Sequence, residues 1–69
     1  MKISARNALK GKITAIKRGA VMAQITVDIG GENTMSSAIF VESVDDLALK
    51  VGDEVIAVIK STDVMIARA

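Results

Sequence analysis

From Val21 to Ile29 apolar and polar side chains alternate without a break. Val21, Ala23, Ile25, Val27 and Ile29 point one way, and Met22, Gln24, Thr26 and Asp28 the other. A period of two predicts a half-buried β-strand. Leu9–Arg18 carries a weaker version of the same pattern, with Leu9, Gly11, Ile13 and Ala15 on one face. Gly19 lies between the two runs and predicts a turn, so they should pair as a hairpin. Gly30-Gly31-Glu32-Asn33 is a second turn signal. A third strand is expected after it, in which Met35, Ser37, Ile39 and Val41 alternate with Thr34, Ser36, Ala38 and Phe40.

The texture changes at Glu42. Ser43-Val44-Asp45-Asp46-Leu47 reads as one helical turn, with Ser43 as its cap, Asp45 and Asp46 suited to a helix N-terminus, and Val44 and Leu47 on one side. Leu49–Asp53 is a turn into a strand over Glu54–Lys60, and Val64–Ala67 is expected to be a last short strand. Val55-Ile56-Ala57-Val58-Ile59 is apolar on both faces. Such a strand is covered either by a partner subunit or, as the central strand of a barrel, by the short helix. The element order predicts an all-β chain: a small OB-like β-barrel with one short helix, oligomeric. Fold class alone assigns no function.

At 69 residues the chain is one domain, residues 1–69, that buries only about 60% of the surface its unfolded form exposes. Scaffolds of this size need a staple. The counts of Cys and His are both 0, which excludes disulfides, thiolate or imidazole metal ligands and every His-based catalytic arrangement. Self-association is the staple that remains. No apolar run approaches the roughly 20 residues of a membrane span, and no signal-peptide core follows Lys2. A cytoplasmic location with no membrane partner is therefore expected.

The formal net charge is only +1, but its distribution is uneven. Lys2, Arg6, Lys10, Lys12, Lys17 and Arg18 crowd the first segment without an acid, whereas Asp28, Glu32, Glu42, Asp45, Asp46, Asp53 and Glu54 face Lys50 alone further on. The basic segment suits an anion or the acidic part of a neighbouring subunit. Two polar clusters interrupt the alternation, Ser4-Ala5-Arg6-Asn7 and Lys60-Ser61-Thr62-Asp63. Apart from Asp63 they supply groups that donate hydrogen bonds, and a donor-rich positive pocket suits a small oxyanion. In an extended segment Ser4 and Arg6 share a face. Lys60 and Ser61 reach one ligand only if the chain bends between them, or if Ser61 offers its backbone N–H. Ordinary roles stand beside these: Ser4 and Arg6 as a solvated surface pair, Ser61–Asp63 as a plain turn, the remaining cations as solvated strand faces and the Met residues as core filler.

Ser4-Ala5-Arg6-Asn7-Ala8-Leu9-Lys10-Gly11 taken with Lys60-Ser61-Thr62-Asp63-Val64-Met65 resembles the molbindins, the small Mop-family molybdate-binding proteins. The resemblance runs over essentially the whole chain, including the turn at Gly30-Gly31, the Ser36-Ser37 strand, the Ser43-Val44 segment and the Leu49–Gly52 turn. Ala8 departs from the pattern, since members often carry Gln there. The resemblance implies OB-type barrels assembled into a homohexamer, a trimer of dimers, with molybdate, or tungstate as its analogue, held between subunits. It implies a cytoplasmic store that feeds molybdenum-cofactor synthesis. It assigns Ser4, Arg6, Lys60 and Ser61 to the oxyanion, with possible backbone donors at Ala5 and Asn7 and in the Gly19-Ala20-Val21 turn. No direct metal-ion ligand is implied.

Chemistry and resemblance agree. Molybdate is a tetrahedral dianion, so Arg6 and Lys60 balance its charge while Ser4 and Ser61 donate along fixed directions. Phosphate near neutral pH retains a proton that needs an acceptor, and sulfate must be told apart by size. Two rival readings remain: an OB-type nucleic-acid-binding module, supported by the basic first segment but lacking aromatic platforms, since Trp and Tyr are 0 and Phe is 1, and a purely structural oligomerisation domain. An enzyme is not expected, because no convergent pair of Lys, Asp or Glu is visible for proton chemistry.

Overall fold

The computed structural model describes residues 2–69. The elements run β1 (Asn7–Arg18), β2 (Met22–Gly30), β3 (Asn33–Phe40), α1 (Val41–Asp46), β4 (Glu54–Ile59) and a single 3-10 turn over Ser61–Asp63. The strands form one antiparallel sheet in the order β3-β2-β1-β4. The expected all-β architecture with one short helix is thus present, as a curled half-barrel whose edges are β3 and β4.

The curl originates in β1. Its first half pairs with β4, from Asn7↔Ile59 to Lys12↔Glu54, and its second half with β2, from Lys12↔Asp28 to Arg18↔Ala23. Gly11 lies where the strand bends inward: a β-carbon there would stand 2.5 Å from Val27 Cγ1 and 2.7 Å from the Asp28 carbonyl oxygen. A register shift between Ile13 and Ala15 then adds one residue to β1, and such a bulge bends and twists its strand. The bulge corrects one expectation. Ala15 does not continue the face of Gly11 and Ile13; Ile16 takes that place and packs on the core, while Ala15 is exposed.

Ile13, Ala23, Ile25, Val27 and Val44 are buried, flanked by Ile16, Ile29, Ile39, Val41, Leu49 and Val55. The alternation of β2 therefore delivers its predicted row to the core, except Val21, which lies before the strand and is exposed. The third strand ends one residue earlier than expected, because Val41 opens the helix. Its N–H donates to the Val21 carbonyl at 2.8 Å, which fixes the helix start at the end of the β2–β3 ladder. Ser43 is consequently inside α1 and caps nothing; Phe40 holds the cap position without a side-chain bond. Asp45 and Asp46 fall in the last turn rather than the first. Asp45 is instead engaged by Arg18, whose Nη2 lies 3.0 Å from Oδ1 and 3.2 Å from Oδ2.

The helix stops in a two-bond C-terminal motif: Ala48 N–H donates to the Asp45 carbonyl and Leu49 N–H to the Val44 carbonyl, with Ala48 at φ 52°. The Leu49–Asp53 turn follows as expected and is tied to β1 by Ile13 N–H to the Asp53 carbonyl (2.9 Å) and Gly52 N–H to the Ile13 carbonyl (2.8 Å).

Two further expectations change. The strand at Val64–Ala67 is absent: residues 64–69 form no ladder, and Met65 and Ile66 are 93% and 91% exposed. The chain leaves β4 through the Ser61–Asp63 turn and does not return to either open edge of the sheet, β3 or β4. Nor is β4 a central strand under the helix. It is an edge strand that turns Val55, Ala57 and Ile59 partly inward and leaves Ile56 and Val58 exposed.

Candidate functional site

The two donor-rich clusters meet at the open end of the β1–β4 ladder. Asn7↔Ile59 is its last pair. Continuing that register by one step sets Arg6 beside Lys60, and by a further step Ala5 beside Ser61. Ser4–Arg6 precede β1 without regular structure, with bends at Ser4 and Arg6, and Lys60 follows β4 with extended backbone at φ −66°, ψ 143°. The chain then bends at once. Asp63 N–H donates to the Lys60 carbonyl (2.9 Å) and Val64 N–H to the Ser61 carbonyl (3.4 Å). This bend is the condition under which Lys60 and Ser61 serve one ligand. It also leaves the leading N–H groups, at Ser61 and Thr62, without an acceptor inside the turn.

Ser4, Arg6, Lys60 and Ser61 are all exposed. Like charges set opposite each other on adjacent strands repel, yet neither Arg6 nor Lys60 is neutralised here. The one ion pair among the described residues joins Arg18 and Asp45 at the other end of β1. The side chain that ties the two segments together is Asn7, half-buried, whose Nδ2 donates to the Ile59 carbonyl at 3.3 Å. In the sequence the Asn7 amide is one donor of a polar cluster and its backbone a possible ligand; its tie to Ile59 is not visible there. An amide residue on the last paired position of a strand is the signal that finds its side chain.

The remaining predicted donors are elsewhere. Gly19, Ala20 and Val21 form the β1–β2 turn, closed by Gly19 N–H to the Met22 carbonyl at 2.8 Å. They lie at the opposite end of the 12-residue β1. One chain therefore gathers Ser4, Ala5, Arg6, Asn7, Lys60 and Ser61, and does not bring the Gly19–Val21 turn to them. The prominent grooves of the chain also lie away from the cluster. One runs over Lys10, Lys12, Asp28 and Glu54, a second over Lys17, Gln24, Ser36 and Ser37, and a third over Val21, Phe40 and Glu42. In a single chain the cluster is an open, doubly cationic surface. Phe40, the one aromatic residue, stands beside Met22 at the far end of the sheet. Among the described residues no helix is long and apolar enough to cross a membrane.

The sequence and the fold are shared with known proteins. The TOBE domain model matches residues 3–66. Molybdenum-pterin-binding protein 3 of Clostridium pasteurianum is 53% identical over 66 residues, covering 96% of this chain and 97% of that protein. A molybdate-binding protein from Sporomusa ovata superposes with a TM-score of 0.92 at 41% identity, covering 99% of this chain and 100% of that one. A molybdate-bound form of the cytoplasmic molybdate-binding protein ModG matches with a TM-score of 0.84 at 44% identity, over 88% of this chain and 43% of that chain. Nearly full-length identity of this order, over the same half-barrel, makes the chain a member of the TOBE-domain family, among its small molybdenum-pterin-binding proteins.

Proposed function

We propose that the chain binds molybdate, or tungstate as its analogue, without catalysis, between subunits of a homohexamer in the cytoplasm, as a store that supplies molybdenum-cofactor synthesis. The observation that supports this reading is the end of the β1–β4 ladder at Asn7↔Ile59, which brings the segments carrying Ser4 and Arg6 and Lys60 and Ser61 to one end of the sheet, with no carboxylate in ion-pair range of either cation among the described residues. Two cations match a dianion. Charge-assisted hydrogen bonds of this kind contribute about 1.5–3 kcal/mol each. The names of the relatives point the same way, since molybdate or molybdenum-pterin binding is what they state.

The same geometry supports self-association. The cluster is open in one chain, and the Gly19–Val21 donors are at the far end of β1, so a site containing both draws on two copies. Ile56, Val58, Met65 and Ile66 are exposed apolar side chains on or after an unpaired edge strand. An edge of this kind is ordinarily covered, and a second copy is the available cover. The nucleic-acid reading finds no support: the chain has a single aromatic ring, Phe40, at the opposite end of the sheet from Arg6 and Lys60, and one ring is not a stacking platform.

Calorimetric titration of Arg6→Ala and Lys60→Ala with molybdate tests the assignment. Each variant is expected to lose roughly ten- to a hundredfold in affinity with its fold intact. Unchanged affinity in both would remove these residues from the site.

A further inference from the structure

The ladder between β1 and β4 ends at Asn7↔Ile59, and the four side chains assigned to the oxyanion, Ser4, Arg6, Lys60 and Ser61, lie beyond that last pair. Backbone pairing therefore does not hold them. Arg6 and Lys60 are the residues that follow the last pair on either side, and like charges brought together there repel. Among the described residues one side-chain hydrogen bond spans this end of the sheet: Asn7 Nδ2 to the Ile59 carbonyl, 3.3 Å, between half-buried residues separated by 52 positions in sequence. It closes onto the carbonyl immediately before Lys60, at the root of the Ser61–Asp63 turn.

We propose that the Asn7 side chain is a positioning residue for the oxyanion site, clamping the Ser4–Arg6 segment to the Lys60–Ser61 turn before the ligand arrives. The inference rests on the molybdate-binding reading above. Asn7 does not bind the dianion through its side chain. It sets the spacing of the two cations and the two hydroxyls in the ligand-free protein. Without the clamp the segments splay under their own charge, and the ligand must order them on binding, which lowers affinity. A neutral amide suits the position: a carboxylate there could not donate to the Ile59 carbonyl when ionised, and it would repel the dianion.

The test compares wild type, Asn7→Leu and Asn7→Gln. Leu keeps the approximate size without a donor, and Gln keeps the amide. Molybdate is titrated into each, and amide hydrogen exchange is followed at Asp63 and Val64 with and without saturating molybdate. Asn7→Leu is expected to bind about three- to tenfold more weakly, with faster exchange at Asp63 and Val64 that returns to the wild-type rate on saturation. Asn7→Gln should recover part of the affinity. Wild-type affinity in Asn7→Leu overturns the proposal. So does an equal loss in Asn7→Leu and Asn7→Gln with unchanged ligand-free exchange, which would mark a packing role. Wild-type protein that takes up no molybdate would overturn the oxyanion reading itself, and the clamp with it.

Discussion

Gly11 and Val27 approach so closely that a β-carbon at position 11 would stand 2.5 Å from a Val27 methyl. This contact lets one strand serve two neighbours. β1 passes over Val27 without a side chain in the way, leaves β2 and runs on alongside β4. Its first residues thereby reach the end of β4, and Arg6 and Lys60 flank the last pair, Asn7↔Ile59.

Gly11→Ala is accordingly expected to destabilise the fold by about 1–3 kcal/mol, the usual cost of forcing extra volume into a packed interior. The Asp28 carbonyl oxygen, 2.7 Å from the added carbon, is backbone and cannot rotate away. Urea unfolding of the variant against wild type at equal protein concentration measures the difference. Equal midpoints would show that the strand crossing is not tight at Gly11.

Ala48 carries the opposite expectation. It sits at φ 52° in the bonded stop of α1, where a β-carbon is unfavourable and Gly is preferred. Ala48→Gly should stabilise by about 0.5–1 kcal/mol, the gain being reduced by the greater freedom of Gly in the unfolded chain. A higher thermal midpoint checks it.

The Arg18–Asp45 pair should matter little. Its side chains are 48% and 63% exposed, and exposed ion pairs contribute about 0–1 kcal/mol. Asp45 also lies in the last turn of α1, where the helix dipole disfavours an acid. Asp45→Ala should therefore change stability by less than about 1 kcal/mol in denaturant unfolding.

Val58 faces outward from the edge strand β4 and is 44% exposed. If a second copy covers that face, Val58→Asp places a charge in the interface and shifts the protein to smaller species. Light scattering reads the shift directly, and an unchanged mass would move the interface elsewhere.

Much of this was legible in the sequence because alternation reports burial directly. The face of β2 follows from Ala23, Ile25 and Val27 alone, and the turns at Gly30-Gly31 and Leu49–Asp53 from their residues. Three features were not local. The bulge before Ala15 depends on how β1 divides itself between two partners. The start of α1 depends on the Val41–Val21 backbone bond and not on Ser43. Val64–Ala67 has strand composition, but composition cannot supply a neighbour, and the 3-10 turn at Ser61–Asp63 sends the segment away from the open edges of β3 and β4. At the candidate site, residue types singled out Ser4, Arg6, Lys60 and Ser61. Their adjacency required the register, and the Asn7 contact, which spans most of the chain, required the fold.

The most direct measurement is calorimetric titration of the wild-type protein with molybdate, with sulfate as the control, on material whose mass has been determined by light scattering. Tight binding of molybdate that sulfate does not reproduce, on a hexamer, is expected. Absence of heat with molybdate, or an equal response to sulfate, would contradict it.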